Sequence, residues 1–338
     1  SFSNILLDYI FIFPCKMGIF GAVLATGFAP LISILILSTF FFQKKNHFHL
    51  EKCRISPGLI RHICSDGLPS LITELSSGVD RTSLGGVGLG CPGTVDDETG
   101  RVLYANNLGW KNFDLRAAVK SRTGFDLRIG NDANVAALAE VLVGCAKGAQ
   151  SAVIVTLGTG VGGGVVLDGK MLTGYTGAAS ELGHMVIRAG GEECTCGRRG
   201  CFEAYASATA LIRETKRAMA AHPESRMHAA AEENGAVDGR TAFIAAQRGD
   251  AAAQAVVDRY LDDLACGVAN IVNIFFPEVI ALSGGVANQG DTLLVPLRER
   301  VRALSYGSRY AVRHTRIELC TLGYRAGVIG AALLAKQS

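Results

Sequence analysis

The chain has 338 residues, of which 49% are hydrophobic and 19% charged, with a formal net charge of +3. That length holds two domains with separate cores, while a near-neutral balance without a basic stripe or helix-turn-helix pattern gives no case for nucleic acid as a partner. Ten cysteines, scattered apart from one cluster, suit a reducing compartment.

Residues 1–66 differ in composition from the remainder. They are rich in Phe and Ile and nearly devoid of acidic residues, whereas the rest is rich in Ala and Gly. Gly18 to Phe42 is an uncharged run long enough to cross a bilayer, with Lys16 before it and Lys44 and Lys45 after it. It reads as a membrane anchor or an uncleaved signal sequence, although a run such as Ile32 to Phe42 also fits a strand of a central sheet.

After a helix expected near 68–77, Gly86 to Gly93 (GVGLGCPG) predicts a strand at 86–91 followed by a tight turn. Asn106 and Asn107 precede Gly109 in what reads as a second pocket-lining loop. Asp126 to Glu140 (DLRIGNDANVAALAE) predicts a strand at 126–130 that hands over to a helix at 133–146 through Asn131, Asp132 and Asn134. Helix capping accounts for one such residue. Three polar side chains at one corner exceed that need, and an aspartate there could accept a proton from a substrate hydroxyl.

Ser151 to Lys170 (SAVIVTLGTGVGGGVVLDGK) predicts a buried strand at 152–157, a glycine-rich turn from Gly158 to Gly164, and a returning strand at 164–168. Glycines inside a hairpin argue against a dinucleotide fingerprint, which opens a helix, and no Gly-Lys-Ser/Thr follows to make a P-loop. What is left is a bare loop whose N–H groups can approach an anion, with the Thr159 hydroxyl beside them.

Gly183 to Glu203 (GHMVIRAGGEECTCGRRGCFE) concentrates His184, Cys194, Cys196 and Cys201. One imidazole and three thiolates are the donors that tetrahedral zinc takes, and closed sites of this kind are structural. The competing reading is a set of reduced core cysteines or a disulfide, which leaves the intervening glycines unexplained. Glu181 and Glu203 flank the knuckle. Carboxylates fixed by a pinned loop suit a polyhydroxylated ligand, since each hydroxyl needs an acceptor held in one direction.

Farther on, helices are expected near 205–221, 240–248, 250–275, 291–305 and 324–336, with strands at 278–283 and 316–321 and a loop at Val237 to Gly239. Arg298, Arg300, Arg302 and Arg309 read as a solvated face. Interleaved strands and helices make the fold class α/β.

GCPGTVD at 90–96, YANN at 104–107, NDAN at 131–134, LGTGVGGG at 157–164, ELGH at 181–184 and CTCGRRGCFE at 194–203 together resemble the ROK family of sugar kinases and sugar-responsive repressors, and within it the bacterial glucokinases. The resemblance runs from about 67 to 338. It implies the actin-like ATPase (ribonuclease H-like) fold, with a small α/β domain at 67–132 plus 324–338, a large one at 133–323, the zinc knuckle at 184–201 and the last helix returning to the small domain. It further implies a cytoplasmic homodimer that phosphorylates a hexose, glucose foremost, using ATP and Mg2+ with structural Zn2+. Asp132 would be the general base, and Asn106, Asn131, Glu181, His184 and Glu203 would hold the sugar. Gly158, Thr159, Gly160, Gly162 and Gly163 would cradle the ATP phosphates, with Gly284 and Gly285 toward the nucleoside. Zinc would sit on His184, Cys194, Cys196 and Cys201.

The chain departs from the family pattern at its start, where a D-x-G-x-T phosphate loop is expected and not found. Residues 1–66 are therefore open to three readings: an altered or non-native segment, a cytoplasm-facing tether, or a divergent strand meander. Another departure is Arg325, where the family usually has an acidic residue nearby. An active sugar kinase, a sugar-binding protein without catalysis and a sugar-sensing repressor are the functional classes left, the last disfavoured by the hydrophobic start.

Overall fold

The computed structural model describes residues 86–105, 108–175, 177–307 and 310–336. The expectations for residues 1–66, the helix near 68–77, Asn106, Asn107 and Arg309 lie outside them. No helix among the described residues is long and apolar enough to cross a membrane.

The chain enters as β1 (Val87–Cys91) and continues through β2 (Thr94–Asp96), β3 (Arg101–Ala105) and β4 (Trp110–Asp114), an antiparallel meander, then through α1 (Leu115–Thr123) into β5 (Leu127–Asn131). β1 and β5 pair in parallel, from Val87 opposite Leu127 to Cys91 opposite Asn131. The meander was not expected. Its strands are short and bury only Val95, Val102, Ala105 and Trp110, too sparse a pattern for alternation to show. α1 is bounded by local chemistry: Asp114 accepts from the Ala117 N–H, and Gly124 closes the helix at φ 77°.

α2 (Asp132–Leu142) leads to β6 (Ala152–Leu157), β7 (Val161–Leu167) and the short β8 (Lys170–Met171). The knuckle region follows, then α3 (Glu203–Ala206), α4 (Ala208–Ala221), α5 (Met227–Asn234), α6 (Thr241–Gln247) and the long α7 (Ala251–Phe275). β9 (Val279–Ser283), α8 (Asp291–Leu304), β10 (Arg316–Leu319) and α9 (Ala326–Lys336) complete it. β10, β9, β6, β7 and β8 form one sheet in that order, with β6 parallel to β9 and antiparallel to β7.

Alternate residues of β6 feed two cores. Val153, Val155 and Leu157 join Leu261, Leu264, Val268 and Leu297 on one face, while Ala152 and Ile154 meet Ala137 and Val141 on the other. Burial on both faces explains the apolar run AVIV and Leu157 after Thr156. Arg300 departs from the solvated face expected of it: it pairs with Asp258 at 2.8 Å and Asp262 at 2.9 Å, joining α8 to α7. The Arg298 Nε donates to the Ile317 carbonyl on the sheet's edge strand.

α9 returns to pack on α2 and β1. The approach is closest at Gly330, where a Cβ would lie 1.8 Å from the Val135 carbonyl oxygen, so no side chain fits between the helices there. Glu140, 1% exposed, ties the other end of α2 to the turn ahead of α9. Its Oε1 accepts from the Leu322 N–H at 2.8 Å, and its Oε2 from the Cys145 N–H at 3.0 Å and the Thr321 N–H at 3.2 Å. Burial pushes its pKa up, but these N–H groups outweigh that and hold the carboxyl below its usual value. A depressed pKa in the folded state stabilises the protein at neutral pH and ceases to do so as pH falls through it. Glu140→Gln is expected to cost roughly 2 kcal/mol in urea unfolding at pH 7, because an amide offers one acceptor where two are used. The gap from the parent should narrow below about pH 4.

Candidate functional site

β6 and β9 run parallel, with Thr156 opposite Ser283, so the turns after both strands emerge at one edge of the sheet. This is the edge at which open α/β sheets bind ligands. Gly284, at φ 90°, would place a Cβ 2.4 Å from the Leu157 carbonyl oxygen, which only glycine avoids, and Gly285 beside it faces open space. The first turn closes when the Gly158 N–H donates to the Gly160 carbonyl at 3.0 Å.

The helix expected at 205–221 is broken at Ser207. The Ser207 hydroxyl accepts from the Ala210 N–H and starts α4 afresh. The break aims the start of α4 at the glycine turn: the Ala208 N–H donates to the Gly158 carbonyl at 2.8 Å and the Thr209 hydroxyl to the Thr159 carbonyl at 2.7 Å. Helix N-termini favour anions. The serine followed by a run of helix formers is a capping signal present in the sequence but not used.

The turn itself is shorter than expected. Gly158, Thr159 and Gly160 form it, whereas Gly162 and Gly163 lie inside β7, opposite Thr156 and Val155. Close packing explains why Gly163 and Gly164 are glycine, whereas a Cβ at Gly162 would meet only Ala133 Cβ, at an ordinary 3.6 Å. A Cβ would lie 2.5 Å from Leu182 Cδ1 at Gly163 and 2.4 Å from Ala137 Cβ at Gly164.

At the β5-to-α2 corner, Asn131 takes the main capping role. Its Oδ1 accepts from the Ala133 N–H at 3.0 Å and the Asn134 N–H at 3.2 Å, and its Nδ2 donates to the Gly93 carbonyl at 3.0 Å. Asp132 is thereby left with one carboxylate oxygen uncommitted. It is exposed, its Oδ1 accepts from the Ala133 N–H, and its Oδ2 accepts nothing among the described residues. Ala133 sits against Gly162, so this corner adjoins the glycine hairpin. A cavity of about 360 Å³ borders it, lined by Asn131, Asn134, Lys170 and Thr173 among others.

A 3-10 turn, Leu182–His184, presents the imidazole to the knuckle. His184, Cys194, Cys196 and Cys201 place their donor atoms within 4.8 Å of one another. His184 Nδ1 lies 3.7 Å from Cys194 Sγ, and the Cys196 and Cys201 sulfurs are 3.7 Å apart. Sulfurs bound to tetrahedral zinc at the usual bond length would be about 3.8 Å apart, so the donor set fits that ion. Hydrogen bonds from Arg198 draw the Cys196 thiol down to about 6, while burial pushes Cys201 up to about 12.

Glu203 spans the knuckle and the hairpin. Its Oε1 accepts from the Thr195 hydroxyl at 2.9 Å and its Oε2 from the Val161 N–H at 3.1 Å. Glu181 is exposed, at the start of the turn that carries His184. Asn106 is outside the described residues. Nothing in the sequence marks Thr195, since only folding brings it to Glu203.

Comparison with known proteins follows the same lines. A family profile described as the ROK family matches residues 41–338, beginning upstream of the boundary at 67. The glucokinase of Halalkalibacterium halodurans is 38% identical over 282 residues, covering 80% of this chain and 85% of that protein. The xylose repressor of Caldicellulosiruptor bescii is 32% identical over 245 residues, covering 72% of this chain and 61% of the repressor. A crystal structure of a ROK family glucokinase from Streptomyces griseus, in complex with glucose and AMPPNP, superposes with a TM-score of 0.70 at 31% identity, covering 86% of this chain and 91% of that one. The architecture is the actin-like ATPase fold.

Asn131→Ala removes both the cap of α2 and its tie to Gly93. It is expected to lower stability by about 1–2 kcal/mol, read as an earlier urea midpoint with unchanged steepness.

Proposed function

The chain belongs to the ROK family, and on that premise we propose that it is an ATP-dependent sugar kinase, with glucose as the hexose and glucose 6-phosphate as the product. The observation that carries this reading is the exposed Asp132 carboxylate, left with one oxygen uncommitted and set beside the glycine hairpin.

In such a transfer most of the catalysis is positioning and charge neutralisation. Asp132 accepts the proton of the sugar's 6-hydroxyl as the oxygen attacks the γ-phosphorus and the bond from that phosphorus to the β-phosphate oxygen breaks, so that ADP leaves. Asn106, Asn131, Glu181, His184 and Glu203 hold the ring hydroxyls. The Gly158, Thr159 and Gly160 turn, backed by the start of α4, receives the phosphates, and Gly284 and Gly285 face the nucleoside. Mg2+, when bound, neutralises phosphate charge. His184, Cys194, Cys196 and Cys201 would hold zinc, which supplies rigidity to the knuckle rather than a reacting water. His184 Nδ1 lies toward Cys194, so Nε2 would be the ring nitrogen that meets a sugar hydroxyl. The similarity to a xylose repressor favours a second reading, sugar binding without phosphoryl transfer, which an ATP-coupled assay on glucose, mannose, fructose and N-acetylmannosamine separates from the first.

Asp132→Asn is expected to lower kcat at least about a hundredfold while calorimetric sugar affinity stays within a few-fold; retained turnover would remove Asp132 as the base. Cys196→Ser is expected to lose the zinc that atomic emission finds at one per parent chain. A parent that is metal-free as purified and fully active would exclude a role for the ion.

A further inference from the structure

We propose that Thr195 is a positioning residue through which the knuckle sets the direction of the Glu203 carboxylate, and with it the affinity for the sugar. The last clause rests on the sugar-kinase reading.

Thr195 lies between two of the metal-ligating cysteines, in a turn whose backbone is closed by the Gly197 N–H donating to the Cys194 carbonyl at 3.0 Å and the Cys194 N–H donating to the Arg198 carbonyl at 2.9 Å. Its hydroxyl donates to Glu203 Oε1 at 2.9 Å. The opposite oxygen of the same carboxylate accepts from the Val161 N–H at 3.1 Å, where β7 leaves the glycine turn. Glu203 makes no ion pair among the described residues, so its direction is set by hydrogen bonds and by packing of Oε2 against Gly160. One carboxylate is thus held from two sides, by the knuckle and by the hairpin.

The other side-chain donor to Oε1 is the Cys194 thiol, at 3.6 Å. A cysteine bound to zinc is a thiolate with no proton to give. With the metal in place, the Thr195 hydroxyl is the side-chain donor that keeps Oε1 in position. A donor to a carboxylate is stronger than one to a neutral group, and a carboxylate that swings away from Val161 frees that N–H as well. The residue between the cysteines therefore links metal binding to the ligand-facing acid and to the hairpin.

The test compares Thr195→Val, which keeps the shape and removes the hydroxyl, with Thr195→Ser, which keeps the hydroxyl. All three chains are purified with zinc and their metal content measured. Amide hydrogen exchange at Val161, followed by NMR without ligand, is expected to be about tenfold faster in Thr195→Val and unchanged in Thr195→Ser. The KM for the sugar is expected to rise about tenfold in Thr195→Val with kcat within twofold, and to return with serine. Zinc-replete Thr195→Val with parental exchange at Val161 would overturn the proposal. So would loss of zinc from Thr195→Val, or failure of serine to restore the exchange rate, because the hydroxyl would not then be the agent. A parent chain that phosphorylates no hexose would instead sink the kinase reading, and the exchange at Val161 would still decide the role of Thr195.

Discussion

Because Val153, Val155 and Leu157 pack against one set of helices while Ala152 and Ile154 pack against another, β6 is shielded from water on both faces except at Thr156. Its backbone must be satisfied along both edges, by β7 on one side and β9 on the other. That pairing brings the turns after β6 and β9 to one edge, and the contact of Gly284 with the Leu157 carbonyl follows from it. The apolar burial is thus what places two glycine turns and the start of α4 side by side.

The polar part of the site is organised around side chains that each bond two segments. Glu203 is divided between Thr195 and Val161, and Asn131 between the first turn of α2 and Gly93. Each residue joins segments that are distant in sequence, so the corner bearing Asp132, the hairpin and the knuckle are held by a few bonds of ordinary length. Zinc on His184 and the three cysteines would stiffen the third of these without entering the chemistry.

Much of this was visible in the residues, for reasons that can be named. β6 showed itself as an apolar run, and the strand expected at 152–157 is the one found. Asp132 stood out because three polar side chains at one strand-to-helix corner exceed what a cap requires. Gly163 and Gly164 read locally as part of a turn, whereas in the fold they serve the approach of Leu182 and Ala137 to a strand. That reason exists only in the folded chain. The same holds for Arg300, whose carboxylate partners lie on another helix, and for the β2–β4 meander, whose inward residues are too few to set a period.

The helix α9 lies against α2 and β1, elements from the opposite end of the described chain. Such a contact forms only after a long loop has closed, so it is expected late in folding. A chain cut ahead of Ala326 would keep every strand of the five-stranded sheet yet leave the face of α2 around Val135 uncovered, with Glu140 deprived of whichever partners at Thr321 and Leu322 the cut removed. The helix that carries Asp132 would then be newly exposed to proteases, although of the cavity beside it only Leu334 would be missing.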